Sequence, residues 1–347
     1  MLLGMCYHRK HPDRAPKAYA YAAAAKLEDV DFVYFSPSGI DFEAREINGY
    51  QYSDARWQPV RTRFPDVVYN SGRIVSPKTA ERLQRLAAIV PVTSYSVGNK
   101  WILYEKIRAA GEFDQYLVPS DEVVAADVVF DYVDRYGKAI VKPVFSNQGK
   151  GIILLQREAG SGEIFLWTEA GETRRIDREG AAKAIEPLTL GGKERRIVQP
   201  YISRRNAAGE AYDFRVHVQK NGMGKWAVTS LFPRIAPLGI VPTNFGYTSY
   251  NYGFMRVHFG DECWNAIHRM EQFGLQLAAH LDRIYGVSFD ELGIDLILDE
   301  EGRIWLLEAN WRPGPPPTFD LEMDAPRRTV QYAMYLHRQA NRGSGYS

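Results

Sequence analysis

Residues 293–314 have the sequence GIDLILDEEGRIWLLEANWRPG, in which two apolar runs flank the segment DEEG at residues 299–302. This segment is typical of the turn of a β-hairpin. Glu308 and Asn310 lie two positions apart, so on a strand their side chains share one face. With an even number of residues in the hairpin loop, Asp295 on the first strand points to the same face. The pattern therefore predicts three oxygen-bearing side chains that converge from two neighbouring strands.

The hairpin is apolar around this polar trio, so we expect both of its faces to be buried. Two buried carboxylates cost several kcal/mol unless a cation or a partner group neutralises them. A magnesium ion suits such oxygen ligands. The alternative is that Asp295 and Glu308 lie at strand ends and pair with Arg312 or another arginine, and the spacing leaves both interpretations open. We expect Ile297, Ile304 and Leu306 beside the trio, and Ile294, Leu296, Leu298, Trp305, Leu307 and Ala309 on the opposite face.

The composition is that of a globular protein with a large core. The chain has 347 residues, 45% of them hydrophobic and 24% charged, and its length corresponds to about two domains. Its formal net charge is +1. Proteins that bind nucleic acid usually carry a basic excess, so nucleic acid is disfavoured as the main partner.

The cysteines and the apolar runs indicate a cytoplasmic type of protein. Cys6 and Cys263 lie far apart and have no zinc-ligand spacing, which argues against a zinc site and against a disulfide framework. The first residues do not have the order of a signal peptide. No run approaches the roughly 18 apolar residues of a membrane helix, so no membrane contact is expected.

The order of predicted elements indicates a mixed fold of α/β and α+β type. Over residues 1–95 short apolar strands alternate with helical stretches, which is typical of a small α/β unit. A boundary is expected near residues 95–99. Beyond it strands come in groups, without strict βαβ alternation, which favours α+β lobes.

A second candidate cluster is AIVKPVFSNQGKGIILL at residues 139–155. One strand carries Lys142, and residues 145–151 form a glycine-rich turn before the next strand. Glycines let backbone N–H groups approach phosphate oxygens. A Walker A loop is excluded, since the GxxxxGK[ST] pattern leading into a helix is missing. The cluster indicates a lid over nucleotide phosphates, and an ordinary glycine hairpin with solvated lysines is an equal alternative.

Two further strands carry candidate binding groups. In AYDFRVHVQKNGMGKW, residues 211–226, Asp213, Arg215 and His217 alternate onto one face. Arginine suits phosphate or carboxylate because its planar fork donates two parallel hydrogen bonds, although a solvated charged face is also possible. In IVQPYI, residues 197–202, an adenine ring would need a backbone N–H from Tyr201 or Ile202. A plain strand end is the alternative there.

Together and in this order, these elements resemble the ATP-grasp superfamily. The matching pieces are Lys100 in GNKWILYEKI, Lys142 with its glycine loop, IVQPYI, the DFR of residues 213–215, and the D…ExN trio. More closely, FSPSGIDF, PDVVYN, IVQPYI, YDFRVHVQKNGMGKWAVTSLFPRIA and PTNFG look like the YheC/YheD group of endospore coat-associated ATP-grasp proteins. The resemblance extends over nearly the whole chain.

The resemblance implies an ATP-grasp fold, in which a small Rossmann-like domain precedes two α+β lobes that hold ATP between them. The amino-terminal domain would be residues 1–95. Residues 96–200 would form the first lobe with its glycine-rich lid, and residues 201–347 the second lobe with the magnesium site. IVQPYI would be the hinge between the lobes.

The resemblance also implies a role for each matching residue. Lys100 and Lys142 would bind the phosphates of ATP, and Gln199 and Tyr201 would contact its adenine. The full set of ATP-binding residues would be Lys100, Lys142, Ser146, Gln148, Gly149, Lys150, Gly151, Gln199, Tyr201 and Asp213. Mg²⁺, as a pair of ions, would be held by Asp295, Glu308 and Asn310. Lys142, Arg215 and Arg234 would be catalytic, and Asn244 and Arg312 would contact the substrate.

Two positions depart from the pattern of the superfamily. Gln199 stands where many ATP-grasp enzymes have an acidic residue, which changes the adenine assignment little. After the Thr-Asn of PTNFG, a Gly-Gly is expected, but this chain has TNFGYTSYNYG instead. This tyrosine-rich loop leaves the substrate undefined.

The implied activity is that of an ADP-forming carboxylate–amine ligase that depends on ATP and Mg²⁺. A carboxylate would be activated as an acylphosphate, and an amine would then form the amide. The partners would be small-molecule or peptide carboxylates and amines. Two alternatives stay open: a non-catalytic, ATP-binding assembly protein of the spore coat, and a kinase of the same fold. Oligomeric state, a link to sporulation, and cytosolic or coat location are left open too.

Overall fold

The computed structural model describes residues 1–72, 76–144, 151–160, 164–169, 172–189, 194–236, 247–248, 251–313 and 323–343. The predictions for Ser146, Gln148, Gly149, Lys150 and Asn244 fall outside these ranges. Within them, no helix is both long and apolar enough to cross a membrane. Helices and strands are mixed throughout, and the strands form three separate sheets.

The first sheet has seven strands in the order β3-β4-β2-β1-β6-β7, with β5 paired to β4. Strands β1, β2, β6 and β7 are parallel, and the predicted strands near residues 2–6, 32–35 and 67–69 correspond to three of them. The sequence pattern does not reveal the β4–β5 ribbon because most of its residues are polar. The elements are β1 (Leu2–Cys6), α1 (Lys17–Leu27), β2 (Asp31–Phe35), β3 (Ile40–Asp41), β4 (Glu46–Ser53), β5 (Arg56–Arg63), β6 (Val67–Asn70), α2 (Pro77–Ala87) and β7 (Val92–Thr93).

The second sheet has six strands in the order β12-β11-β10-β9-β13-β8, and its neighbouring strands are antiparallel. Helices α4 and α5 pack on one face of it, and this apolar core includes Phe130, Val141 and Phe165. The elements are α3 (Lys100–Ala110), β8 (Asp121–Glu122), α4 (Ala126–Tyr136), β9 (Lys138–Pro143), β10 (Ile153–Arg157), β11 (Ile164–Glu169), β12 (Glu172–Asp177), α5 (Arg178–Ile185) and β13 (Arg196–Pro200).

The third sheet also has six strands, in the order β17-β16-β15-β18-β19, with β14 paired to β15. Helix α7 packs on one face, where Met270 and Leu277 join the largest apolar core among the described residues. Helix α8 contacts both α1 and β15, so it bridges the first and third sheets. The elements are β14 (Arg204–Arg205), β15 (Ala211–Lys220), β16 (Trp226–Ile235), β17 (Tyr247–Thr248), α6 (Asn251–Phe259), α7 (Cys263–Tyr285), β18 (Glu291–Leu298), β19 (Ile304–Asn310) and α8 (Asp324–Gly343).

The β18–β19 hairpin differs from the prediction in its loop. Leu298 pairs with Ile304, so the loop consists of residues 299–303, an odd number. An odd loop alone would turn Glu308 away from Asp295. The register shifts after Asp295, however, because Leu307 is an extra residue in β19, and Asp295 pairs with Glu308 after all. Asp295 and Glu308 therefore do share a face, but through a β-bulge and not through an even loop.

The bulge also reverses the faces of the residues that precede it in β19. Leu306 and Ile304 pair with Leu296 and Leu298 and lie with them in the apolar core. Their prediction beside the polar trio was wrong. Leu307, expected on the opposite face, lines the polar side together with Ile297. The physical reason is that each extra residue in a strand inverts the alternation of side chains on one side of it.

Candidate functional site

A cleft lies between the second and third sheets, and the alternation of β9 decides what it contains. Ala139 and Val141 are buried in the core of the second sheet, whereas Ile140 and Lys142 point the other way and line the cleft. Alternation with period two thus exposes Lys142 to the cleft. The third sheet supplies the facing wall, and the polar groups that line the cleft include Lys100, Lys142, Gln199, Tyr201, Asp213, Arg234, Asp295 and Glu308.

The wall from the third sheet is a row of charged side chains on adjacent strands. Asp213 of β15 pairs with Arg234 of β16, and Arg215 pairs with Asp295 of β18. Asp295 in turn pairs with Glu308 of β19. Directly opposed residues of neighbouring strands share a face, so the fold brings these five side chains, all predicted from the sequence, into one row.

Asp295 is the centre of this row because two guanidinium groups hold it. Nε and Nη2 of Arg215 donate to its two oxygens over 2.7 and 2.8 Å. Nη1 of Arg234 lies 3.0 Å from Oδ2 of the same carboxylate. Burial would raise the pKa of Asp295, but the two arginines outweigh burial and lower it. Asp295 is therefore an ionised carboxylate whose negative charge is already neutralised by protein groups.

Arg234 joins Asp295 to a second carboxylate. Its Nε and Nη2 atoms each donate to Asp213 over 2.7 Å. Burial disfavours the charged guanidinium, yet the charges of Asp213 and Asp295 raise the pKa of Arg234 above its ordinary value. Arg234 thus lines the cleft as a permanently charged group whose orientation is fixed by two carboxylates.

The two lysines meet Glu308 at the other end of the row. Nζ of Lys100, the first residue of α3, lies 2.7 Å from Oε2 of Glu308. Burial, and after it the charge of Lys100, lower the pKa of Lys142 from its ordinary value to about 7, although the charge of Glu308 acts in the opposite direction. The Lys142 amine therefore titrates near neutral pH, and an anionic ligand beside it would favour its protonated form.

The three predicted magnesium ligands are not all available to bind an ion. Glu308 and Asn310 line a neighbouring cavity, and their oxygens suit Mg²⁺. Both oxygens of Asp295, in contrast, accept hydrogen bonds from arginines. Here the arginine-paired alternative describes Asp295, although the partners are Arg215 and Arg234 and not Arg312. Among the described residues, no three His, Cys, Asp or Glu side chains form a metal cluster. Glu308 and Asn310 thus fit the ion, and Asp295 fits it only if it releases an arginine.

The strand end predicted to bind adenine lines the cleft, but its expected donors are engaged. The N–H of Tyr201 donates to the carbonyl of Lys138, and that of Ile202 donates to the carbonyl of Pro200. The side chain of Gln199 is buried and donates to Ser120 over 2.6 Å. A ligand edge at this strand end would need one of these hydrogen bonds to open.

Two other predicted residues lie apart from the cleft wall. Gly151, the last residue of the predicted lid, has its carbonyl held by Arg196 over 2.6 Å. Arg312 lies beyond the metal-ligand strand, where it stacks on Trp311 with 3.6 Å between the guanidinium carbon and the ring centre. Burial lowers the pKa of Arg312 to about 10, so it remains charged at neutral pH.

A buried polar cluster lies near Arg312, and the sequence analysis named only one of its members, His217. Asp290 accepts a hydrogen bond from Ser94 over 2.8 Å, and His217 lies 2.8 Å from Glu291. These residues are each at most 4% exposed. One signal for the cluster was available, because Asp290 and Glu291 lie just before the predicted strand, but nothing local indicates that their partners are Ser94, which follows β7, and His217 of β15.

Comparison with known proteins identifies the family. The model of the YheC/D-like ATP-grasp family matches residues 89–336, which is more than half of the chain. The endospore coat-associated protein YheD of Bacillus subtilis (strain 168) is 25% identical over 323 residues, covering 88% of this chain and 70% of YheD. The endospore coat-associated protein YheC of the same organism is 22% identical over 312 residues, covering 82% of this chain and 81% of YheC.

Solved structures agree on the fold. D-alanyl-alanine synthetase A from Vibrio cholerae O1 biovar eltor str. N16961 superposes with a TM-score of 0.55 and 15% identity over 97% of each chain. A likeness at this identity concerns the fold alone, and it confirms the predicted combination of α/β and α+β parts. With the family match and this likeness, the chain belongs to the YheC/D-like ATP-grasp family.

Proposed function

We propose that the chain is an ATP-dependent, ADP-forming ligase that joins a carboxylate to an amine. The observation that carries the proposal is the position of Lys142, which lines a cleft between two sheets together with the Lys100–Glu308 ion pair. A cationic lysine next to a second lysine is unfavourable unless an anion joins them, and ATP phosphates are such an anion.

In the proposed reaction a substrate carboxylate oxygen attacks the γ-phosphorus, and the bond to the β-phosphate oxygen breaks to release ADP. The amine nitrogen then attacks the acyl carbon, phosphate leaves, and the nitrogen loses a proton. Lys100 and Lys142 would orient the phosphates from α3 and β9. Arg234, fixed by Asp213 and Asp295, would face the transferring group without having to reorient, which is the condition under which charged donors stabilise a transition state best.

Magnesium, when bound, would neutralise charge on the phosphate oxygens. Glu308 and Asn310 would hold it, and Asp295 would join them on release from an arginine. Arg215 would then be free to contact the phosphoryl group or the acyl substrate. The loop of residues 145–151 is proposed to cover the phosphates, and Asn244 to line the acceptor site. The division of the chain at residues 95 and 200 is part of the same proposal.

The test is release of ADP, AMP and phosphate from Mg-ATP by the purified protein, with and without a small-molecule extract of sporulating cells. Lys142→Ala removes the cleft ammonium, and Lys138→Ala on the same strand is the matched control. We expect extract-dependent ADP and phosphate from the wild type and from Lys138→Ala, and at least about a hundredfold less from Lys142→Ala.

Other results of this assay would support the kinase or the assembly-protein alternative, or would contradict the ligase mechanism. ADP without free phosphate would identify a kinase. Stabilisation by ATP without turnover in any extract fraction would identify a nucleotide-binding assembly protein. AMP release, or a Lys142→Ala variant as active as the wild type, would overturn the ligase mechanism.

The names of YheD and YheC place those two proteins at the endospore coat. We propose that this chain also acts during sporulation, either in the cytosol or at the coat. Its abundance in cytosolic and coat fractions across sporulation, measured with an antibody, distinguishes the two locations. A level that does not change between growth and sporulation would contradict the proposal.

A further inference from the structure

A second candidate site lies where the first sheet meets the third. In the first sheet β1 lies between β2 and β6. The chain continues from β1 to β2 on one side of β1, and it later returns to form β6 on the other side. Ligands of parallel sheets bind beyond the carboxyl ends of strands at such a switch point. Here the N–H groups of Ser71 and Gly72 both donate to the carbonyl of Cys6 over 3.0 Å, so the two loops close around this point.

Arg312 presents an empty binding edge to this region. Its Nε and Nη2 atoms are buried and have no hydrogen-bond partner in the structure as described. The same two atoms of Arg215 grip the carboxylate of Asp295, and those of Arg234 grip Asp213. This edge of a guanidinium donates two parallel hydrogen bonds that match a carboxylate. Arg312 therefore presents, unused, the edge with which the chain twice binds a carboxylate.

Among the described residues, no anion is hydrogen-bonded to this edge of Arg312, although the carboxylate of Asp290 lies near enough to raise the pKa of the guanidinium. Burial raises the pKa of the Cys6 thiol to about 12, and it raises the pKa of the Tyr69 phenol well above its ordinary value. Cys6 and Tyr69 lie close enough to affect the pKa of Arg312 when they are ionised. With their own pKa values raised, both groups are neutral at physiological pH. Glu291 is engaged with His217. A buried guanidinium without a paired anion is costly, so an anionic ligand would stabilise this site.

Unpartnered acceptors lie in the same region, on Asp290 and on residues linked to it. Oδ2 of Asp290 accepts from Ser94, but Oδ1 is buried and has no partner among the described residues. Two further oxygens are also buried without a hydrogen-bond partner among the described residues: Oδ1 of Asn70, at the carboxyl end of β6, and Oγ of Ser71. Asn70 contacts the carbonyl of Ser94 over 3.5 Å, which links it to Asp290. These acceptors call for a ligand that donates hydrogen bonds, and an ammonium group donates three.

We propose that this cluster binds a free amino acid, with its carboxylate on Arg312 and its amine on Asp290 and Asn70. The assignment rests on the proposed ligase function, for which it names the class of one substrate. Arg312 follows Asn310 by two residues, and Trp311, on which it stacks, lines the cavity that also contains Lys100 and Glu308. An amino acid held here would lie beside the phosphate end of the cleft.

The test uses three probes that divide the expected ligand into its parts: glycine, acetate and methylamine. Thermal unfolding of the full chain is followed with each probe at constant ionic strength, with and without a non-hydrolysable Mg-ATP analogue. We expect glycine to stabilise the protein at concentrations roughly tenfold or more below those of acetate or methylamine, since only glycine satisfies both sets of groups.

Two variants test whether the stabilisation by glycine depends on Arg312 and Asp290. Arg312→Lys keeps the charge and removes the fork, and it should weaken glycine and acetate about tenfold. Asp290→Asn should remove the preference for glycine over acetate. The matched control is Arg303→Lys, another arginine stacked on a tryptophan, at 3.8 Å from the ring of Trp305, but exposed. It should behave as the wild type.

Absence of any glycine effect, or an equal effect in the wild type and Arg312→Lys, overturns the proposal. If Arg312→Lys does not fold, the Asp290→Asn variant and the side-chain Nε–H resonances of the wild type under glycine titration decide it. Failure of the two proposals is separable. A nucleotide effect without a glycine effect overturns the amino-acid site alone, and a glycine effect without a nucleotide effect overturns the nucleotide site alone.

Discussion

Nucleotide binding should take up a proton at Lys142. The pKa of this amine is lowered to about 7 in the unliganded protein, first by burial and then by the charge of Lys100. A phosphate oxygen beside the ammonium would favour the charged form and return the pKa towards its usual value of about 10.4. Above pH 7 the free amine is mostly neutral and the bound amine is charged, so binding removes a proton from solution.

The size of the effect follows from the two pKa values. With a pKa near 7, roughly a tenth of the free Lys142 amines are neutral at pH 6, about half at pH 7 and about nine-tenths at pH 8. Proton uptake on binding should rise through the same values. By linkage, the apparent affinity for nucleotide should fall by nearly tenfold for each pH unit above about 8.

Isothermal titration calorimetry measures this uptake directly. Titrations of a non-hydrolysable Mg-ATP analogue in two buffers of different ionisation enthalpy, between pH 7.5 and 9, give the number of protons as the slope of the observed enthalpy. This range lies above the ionisation of the nucleotide itself. Lys142→Arg keeps a permanently protonated side chain and should lose the uptake. Lys138→Arg, on the same strand, should retain it.

A slope near zero for the wild type at pH 8 would refute the reasoning, because Lys142 would then carry the same charge in both states. An equal slope in Lys142→Arg would show that another group takes up the proton. Either result would show that Lys142 does not bind the nucleotide phosphates in the way proposed.

Asp295→Asn should lower the free energy of unfolding by about 3 kcal/mol, because two arginines lose their buried anion; urea denaturation measures this, and a loss below about 1 kcal/mol would contradict the central role of the carboxylate. Glu308→Gln should move the midpoint of the proton-uptake profile below pH 7, since the charge of Glu308 raises the pKa of Lys142, and the same calorimetry would detect an unchanged midpoint. Gly293→Ala should cost about 1–3 kcal/mol, because an added Cβ would lie 2.6 Å from a proline carbon. Gly253→Ala, where an added Cβ meets nothing within 4 Å, should show no such loss in the same denaturation experiment.

The polar row of the cleft could be predicted in part, because strand alternation is a local property. The spacing of Glu308 and Asn310, and of Asp213 and Arg215, places each pair on one face of its strand whatever the rest of the chain does. The register between two strands is harder to predict from the sequence than the faces of one strand. The predicted even loop was wrong, and only the bulge at Leu307 brought Asp295 beside Glu308. A bulge depends on how both strands pack against the core, and the local pattern does not encode that.

The sequence by itself determined the family, the mixed fold, and the candidate residues on each strand. Tertiary structure alone decided which charges meet: Arg215 and Arg234 with Asp295, and Lys100 with Glu308, while among the described residues Nε and Nη2 of Arg312 have no hydrogen-bond partner. The reason is that periodicity fixes the direction of a side chain relative to its own strand, whereas ion pairs and unpaired groups depend on register and on the docking of distant elements. Whether a buried charge is neutralised, and so whether a site is free to bind, is a property of the assembled sheets.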